Sequence, residues 1–431
     1  MKEELTNAFI KKTMTAQEAV RLVKDGGTVF VGTNSSLAYG LLDALAEREN
    51  ELKDVTIACS MIMRPSRALS CGKFRVLSYF LGGQERKSPS LEFTSVHLHQ
   101  VDIWCHETAK PDVAFFEVSL PDENGFMSLG PSGVAVGAYI RDTAKTIILQ
   151  INKNTPYVLG ENNLIHITDA AAIIYHDQEL VENPDLPVDE VIKDISKLLL
   201  DYIPDGACIQ LGLGGLATAV GFGLKDRNDL GCHTEMISNS IMDLMKTGVI
   251  NNSRKNFMPG KTVAAFSYGS KALYDFLDRN KNVYFMPFPK VNNPVNIAKN
   301  DNMISVNTAL SADLFGQVNA DNLAGKQYSA IGGQLDFVRG AQMSKGGKSF
   351  IAMQSTIENS KVGRLSRIVS RFPLGTAVTT PRADVQYIAT EFGCINLKPL
   401  TMKDRVRAMI SLAHPDFRPQ LTDEAKEAGL L

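Results

Sequence analysis

The stretch DEVIKDISKLLLDYIPDGACIQLGLGGLATAVGFGL, residues 189–224, decides the fold. Its first part sets apolar side chains at helical spacing, and Asp205-Gly206 marks a turn. ACIQL then reads as a short buried strand, and the glycines after it open a second apolar helix. A similar order occurs 180 residues earlier, an offset read from Asp25-Gly26 and Asp205-Gly206. There TAQEAVRLVKDGG (15–27) predicts a helix, TVFVG (28–32) a strand and SLAYGLLDALAER (36–48) a helix, with DVTIACSM (54–61) as the next strand. Alternation of this kind favours largely parallel sheets covered by helices. The expectation is two related α/β domains, 1–185 and 186–431. The linker falls inside HDQELVENPDLPVDE (176–190), which is acidic and carries Pro184 and Pro187.

A chain of 431 residues is too long for one ordinary core, which agrees with that division. Lys and Arg number 45 against 47 Asp and Glu, so no charge excess calls for nucleic acid or an anionic membrane as partner. No run approaches the ~18 consecutive apolar residues of a membrane helix, and MKEELTNAFIKKTMTAQEAV lacks the apolar core of a signal peptide. The six cysteines (59, 71, 105, 208, 232 and 394) form no CxxC pair, which fits free thiols in a reducing cytoplasm. The seven histidines form no HxxxH pair, and His97 and His99 alternate as they would on a strand. No metal site is expected.

Three segments have the composition of a working site. Gly212-Leu213-Gly214-Gly215-Leu216-Ala217 follows the strand ACIQL, where glycines let backbone N–H groups approach an anion closely. The plain alternative is a tight turn that packs a helix on the sheet. The segment also satisfies GxGxx(G/A), the dinucleotide fingerprint, which wants an acid ~20 positions on at the end of the next strand. Glu235 lies at that distance but within GCHTEMISNSIMD (231–243), which reads as a loop entering a helix. That context speaks against a nicotinamide-dependent dehydrogenase. Glu235 itself is either a solvated residue near a helix cap or a carboxylate at the mouth of a glycine-lined pocket. The third segment, GGQLDFVRGA (332–341), follows the strand-like YSAI (328–331), and its plain reading is a β-bulge or hairpin.

Together these segments resemble the acetyl-CoA hydrolase/transferase family of class I CoA-transferases, nearest its 4-hydroxybutyrate and butyryl-CoA:acetate branches. HTEMISNSIMDLMKTGVI (233–250) resembles the stretch holding the family's catalytic glutamate, LGLGGLATAV (211–220) its first CoA-facing loop, and GGQLDFVRGA its second. DLFGQVNAD (313–321), TTPRADVQYIATEFG (379–393), AHPDFR (413–418) and DVAFFEVSLPDENGFMSLG (112–130) extend the likeness over most of the chain.

The resemblance implies two CoA-transferase-type α/β domains, with the catalytic glutamate and the CoA loops in the second. Glu235 would be the nucleophile. Gly212, Leu213, Gly214, Gly215, Leu216, Gly332 and Gly333 would contact CoA, as would the backbone near Leu310. It implies transfer of CoA between a short-chain acyl-CoA (butyryl, 4-hydroxybutyryl or acetyl) and a free acid such as acetate, through a glutamyl-CoA thioester. CoA is then a substrate, no tightly bound cofactor is expected, and a cytoplasmic homodimer or higher homo-oligomer is. An acyl-CoA hydrolase on the same fold is the nearest alternative. Two departures bear on the choice of acid. GTNSSLAYG (32–40) replaces a proline-containing stretch, and Ala217 replaces a proline after the glycine loop.

Overall fold

The apolar runs of the first half become strands β1 (Thr28–Thr33), β2 (Thr56–Ser60), β3 (Arg75–Ser78), β4 (Leu91–Phe93), β5 (Val113–Val118), β6 (Thr146–Ile151) and β7 (Ala172–Tyr175). They are seen in a computed structural model that describes every residue except Met1, Lys2, Leu186 and Val362. Their order across the sheet is β4-β3-β2-β1-β5-β6-β7, and every neighbouring pair is parallel. Every residue of β5 is buried, and every residue of β1 after Thr28, as central strands covered on both faces require.

The second half supplies β8 (Cys208–Leu211), β9 (Gly231–Ile237), β10 (Thr262–Ser267), β11 (Val283–Phe285), β12 (Met303–Thr308), β13 (Lys348–Ala352), β14 (Tyr387–Thr390) and β15 (Gly393–Asn396). Their order is β11-β10-β9-β8-β12-β13-β14-β15. Adding seven to each label of the first sheet reproduces the second through β14. β15 is an extra strand, antiparallel to β14. The pairs β8–β9, β8–β12, β12–β13 and β13–β14 are parallel.

The repeat reaches individual hydrogen bonds. In the first copy the Asp25 carboxylate accepts from the Lys53 N–H at 3.0 Å, and the Gly26 N–H donates to the Lys53 carbonyl at 2.9 Å. In the second, Asp205 accepts from the Asn228 N–H at 2.8 Å, and the Gly206 N–H donates to the Asn228 carbonyl at 2.9 Å. Both glycines are left-handed, with φ of +71° and +76°, which is why glycine follows aspartate at each turn.

The helices used below are α1 (Tyr39–Glu47), α2 (Gly130–Thr143), α3 (Glu190–Leu200), α4 (Gly215–Gly223), α5 (Asn239–Lys246), α6 (Lys271–Leu277) and α7 (Gln334–Met343). α3 begins where the sequence placed it, with the Asp189 side chain capping the Ile192 N–H. The chain forms two compact units. One comprises Met1–Pro184, Glu235–Asn239 and Val263–Val291, and the other Asp185–Thr234, Ser240–Thr262 and Asn292–Leu431. The division expected from sequence was one cut at 185/186, whose second side starts at Leu186, outside the described residues. The units instead exchange segments, and one exchange falls inside β9, between Thr234 and Glu235. Composition along the chain carries no mark of such an exchange.

Other local expectations change as well. GCHTEMI is strand β9, not a loop, and the helix starts only at Asn239. Burial of Cys232, His233, Thr234, Met236 and Ile237 outweighs the weak strand propensity of this polar run. YSAI is irregular, and GGQLDFVRGA is neither bulge nor hairpin: it is a turn opening α7. His97 caps and His99 lies within a short 3-10 turn, Leu98–Gln100, with their rings stacked 5.4 Å apart, and so they do not alternate along a strand. The helix expected over 15–27 is α-helical only across Ala16–Ala19 and tightens to 3-10 geometry at Val20–Leu22.

Candidate active site

In the second unit the strand order reverses between β8 and β12, the place where open α/β sheets bind ligands at their carboxyl ends. The reversal is tied by a buried pair of amides. Gln210 Nε2 donates to Asn307 Oδ1 at 3.3 Å, and Asn307 Nδ2 returns a bond to Gln210 Oε1 at 3.2 Å. Gly212 follows β8, and its N–H donates to the Val306 carbonyl at 3.0 Å. Leu213 and Gly214 are exposed at the turn and Leu216 is buried behind it. Gly214 adopts φ +99° and ψ −179°, a region almost closed to residues with a Cβ, and it caps α4 with no side-chain hydrogen bond. The first N–H groups of α4 thus meet no capping side chain.

Leu310 leaves the end of β12 half-buried, its N–H donating to the Asn319 carbonyl at 2.9 Å. Gly332 (φ +58°) and Gly333 form the turn before α7, again with no capping side chain. The first α7 residue returns to the same edge, where Gln334 Nε2 donates to the Thr308 carbonyl at 2.7 Å. The residues chosen from the sequence at 212–216, 310 and 332–333 therefore gather around the carboxyl ends of β8 and β12.

The helices behind these glycine turns pack on Ser240 and His233 within the same unit. Gly221 of α4 lies so close to Ser240 of α5 that a Cβ would stand 2.6 Å from it. Phe337 of α7 meets the ring of buried His233 edge-on, 6.1 Å between centroids, two residues before Glu235. Asn300 Nδ2 lies 3.3 Å from His233 Nδ1 and fixes that ring further.

Glu235 is the half-buried position in an otherwise buried strand. In the first unit the Tyr79 hydroxyl is pushed well above its ordinary range by burial, with Cys105, Cys59 and, least, Glu235 adding to the shift. The Tyr79 ring packs edge-on to Trp104 at 4.7 Å, and its hydroxyl is hydrogen-bonded to Ser60. Ser60 Oγ lies 2.7 Å from Thr33 Oγ1. This chain of hydroxyls joins the carboxyl ends of β1, β2 and β3.

The first sheet reverses between β1 and β5. There Glu117 faces Gln150 in register across β5 and β6. Burial pushes its carboxyl up to about 8, against opposing hydrogen bonds from Thr155, Asn152 and Gln178. Thr155 Oγ1 donates to it at 2.8 Å. Gln150 Oε1 in turn accepts from the Leu41 N–H at 3.1 Å and Gln178 Nε2 donates to the Leu37 carbonyl at 2.9 Å, so the network holds the start of α1. Beyond β5 and β6 lies a cleft of about 470 Å³ lined by Ser119, Asn154, Tyr157, Lys271 and Arg279. Its cations are already engaged, Lys271 with Asp275 at 2.8 Å and Arg279 over the Tyr157 ring at 4.3 Å, which disfavours it as a phosphate site.

Comparison with known proteins now decides the family. Residues 1–187 match the acetyl-CoA hydrolase/transferase N-terminal domain, and residues 269–425 match its C-terminal domain. The chain belongs to the acetyl-CoA hydrolase/transferase family. It is 37% identical to the 4-hydroxybutyrate coenzyme A transferase of Clostridium kluyveri, over 98% of this chain and 99% of that one. It is also 37% identical to the butyryl-CoA:acetate CoA-transferase of Anaerostipes caccae, over 98% and 97%. Among solved structures, RipA from Yersinia pestis superposes with a TM-score of 0.91 at 35% identity, covering 99% of this chain and all of that one.

Membership disposes of the dehydrogenase reading, which the strand at 231–237 would otherwise have revived. Several buried polar residues at the strand ends of the first sheet escaped sequence reasoning. Glu117 carries a legible signal, a lone charge inside the apolar run VAFFEV. Tyr79, Ser60 and Thr33 carry none, because only the fold joins the ends of three strands.

Proposed function

We propose that this CoA-transferase moves CoA between a short-chain acyl-CoA and a free carboxylate, with Glu235 as the covalent nucleophile. The observation that carries the reading is Glu235 itself, a half-buried carboxylate near the end of a strand that pairs in parallel with β8. A glutamate suits the task because exchange of one thioester for another needs little driving force.

The Glu235 carboxylate attacks the thioester carbonyl, the C–S bond breaks, and a mixed anhydride and CoA thiolate result. The thiolate attacks the glutamyl carbonyl, the anhydride C–O bond breaks, and the first acid leaves as its carboxylate. An enzyme–CoA thioester remains. The incoming carboxylate reverses these steps and departs as the new acyl-CoA. Each attack gathers charge on an oxygen, and backbone N–H groups at 214–216 and 333–335 are the donors assigned to CoA and to that charge. One such donor is worth about 3 kcal/mol in comparable sites. The chemistry calls on no cofactor beyond CoA. Its acids are of the size named for the relatives, acetate, butyrate and 4-hydroxybutyrate.

Glu235→Ala is expected to abolish exchange between butyryl-CoA and acetate while the protein melts as the wild type does. Retained exchange in a folded Glu235→Ala protein contradicts the assignment. CoA release at the same rate with and without acetate would instead make water the acceptor and the enzyme a hydrolase.

A further inference from the structure

β10 ends at Ser267, and the residues from there to Ser270 hold the segment that carries Glu235. The Ile237 carbonyl, two residues past Glu235, accepts from Ser267 Oγ and from the Tyr268 N–H, each at 3.2 Å. Two residues further on, Asn239 Oδ1 accepts from the Ser270 N–H and from Ser270 Oγ, each at 2.9 Å. Glu235–Asn239 and Val263–Val291 both belong to the first unit, so all four bonds lie within it.

The turn that donates them is itself anchored. The Gly269 carbonyl accepts from the Asn183 N–H at 2.9 Å, and the Lys271 N–H donates to the Glu182 carboxylate at 2.8 Å. The Tyr274 hydroxyl donates to the Val181 carbonyl at 2.7 Å, and Ser132 Oγ donates to the Ser267 carbonyl at 3.3 Å. There is no slack against Asn239, because a Cβ on Gly269 would stand 2.6 Å from its Oδ1.

Asn239 is buried and opens α5. An asparagine at a helix start ordinarily caps its own helix, accepting from an N–H two or three residues on. Here Oδ1 instead takes two hydrogen bonds from a residue 31 positions away. Its side chain therefore fixes where β9 ends, four residues past the Glu235 carboxylate.

We propose that Asn239 is a positioning residue for the transfer reaction. By latching onto Ser270 it holds the end of β9, and through that backbone it holds Glu235 for attack on the thioester. This deepens the transferase reading and rests on it. Misplacing a reacting group by about 1 Å can cost ~100-fold in rate, so the loss of this latch belongs in kcat.

The test follows exchange between butyryl-CoA and acetate in the full chain, with thermal melting to check that each variant folds. Asn239→Ala is expected to lower kcat by at least ~10-fold and to leave KM for butyryl-CoA close to that of the wild type. Asn239→Asp keeps an acceptor oxygen for both Ser270 donors and is expected to restore most of kcat. Gly269→Ala presses on Oδ1 from the opposite side and is expected to reproduce the kcat loss, which decides the matter if Asn239→Ala does not fold. Wild-type kcat in folded Asn239→Ala or Gly269→Ala overturns the proposal. So does a rise in KM without loss of kcat, or an Asn239→Asp protein no faster than Asn239→Ala. Exchange and a CoA adduct on Glu235 in the wild type uphold the transferase reading whatever the variants do. Absence of both from the wild type would sink that reading and this inference with it.

Discussion

Glu117 sits in the middle of β5 with its carboxyl fully enclosed, held by Thr155 and Gln178 and facing Gln150. Its carboxyl is raised from an ordinary 4.5 to about 8, so the folded state holds a proton that the unfolded chain releases. The stability it contributes is therefore complete below about 4.5 and is lost as pH rises through about 8. Glu117→Gln, which resembles the protonated acid, is expected to melt close to the wild type at pH 5 and above it at pH 9. Each kcal/mol moves the midpoint by ~2–4 °C. A melting difference equal at both pH values would contradict the raised carboxyl. Glu85, raised to about 7 by burial beside the Ile62 and Gly82 N–H groups, adds to the same trend. The sequence displays Glu117 plainly, as a charge within VAFFEV, but its partners at 150, 155 and 178 become partners only once β5 and β6 align.

The turn 212–215 is the strand-to-helix connection that the proposed function assigns to CoA. A Cβ at Gly214 would touch nothing within 4 Å, so packing does not demand glycine there; the backbone does, at φ +99° and ψ −179°. Gly214→Ala is expected to cost ~1–3 kcal/mol of local strain and, by displacing the first N–H groups of α4, to raise KM for acyl-CoA more than it lowers kcat. An unchanged KM in a folded variant would remove this turn from the CoA contacts. The strand, the glycine turn and α4 were legible in ACIQLGLGGLATAV because apolar period and punctuation agree there. β9 was not, since HTEMI has the composition of a loop and becomes a strand through burial of its neighbours. α7 hid for the opposite reason. Two glycines before it suggested a bulge, whereas Gly332 and Gly333 serve as the left-handed turn and cap that begin a helix.

Two copies of one strand order make up the molecule, and the faint repeat of Asp-Gly turns in the sequence proves to mark a shared topology. Each copy has one strand-order reversal, between β1 and β5 on the first sheet and between β8 and β12 on the second. Pairing within each copy follows from apolar period, which is why the fold class was readable. The exchange of 235–239 and 263–291 into the first unit was not readable, because it depends on where the chain returns after leaving β9. That exchange gives the first unit the residue on which the proposed chemistry turns. The most direct measurement is to mix the protein with butyryl-CoA alone, without an acid acceptor, and map covalent CoA by peptide mass spectrometry. The account predicts a CoA thioester on the peptide containing Glu235, absent from Glu235→Ala and discharged when acetate is added. Steady turnover with acetate and no adduct on that peptide would contradict it.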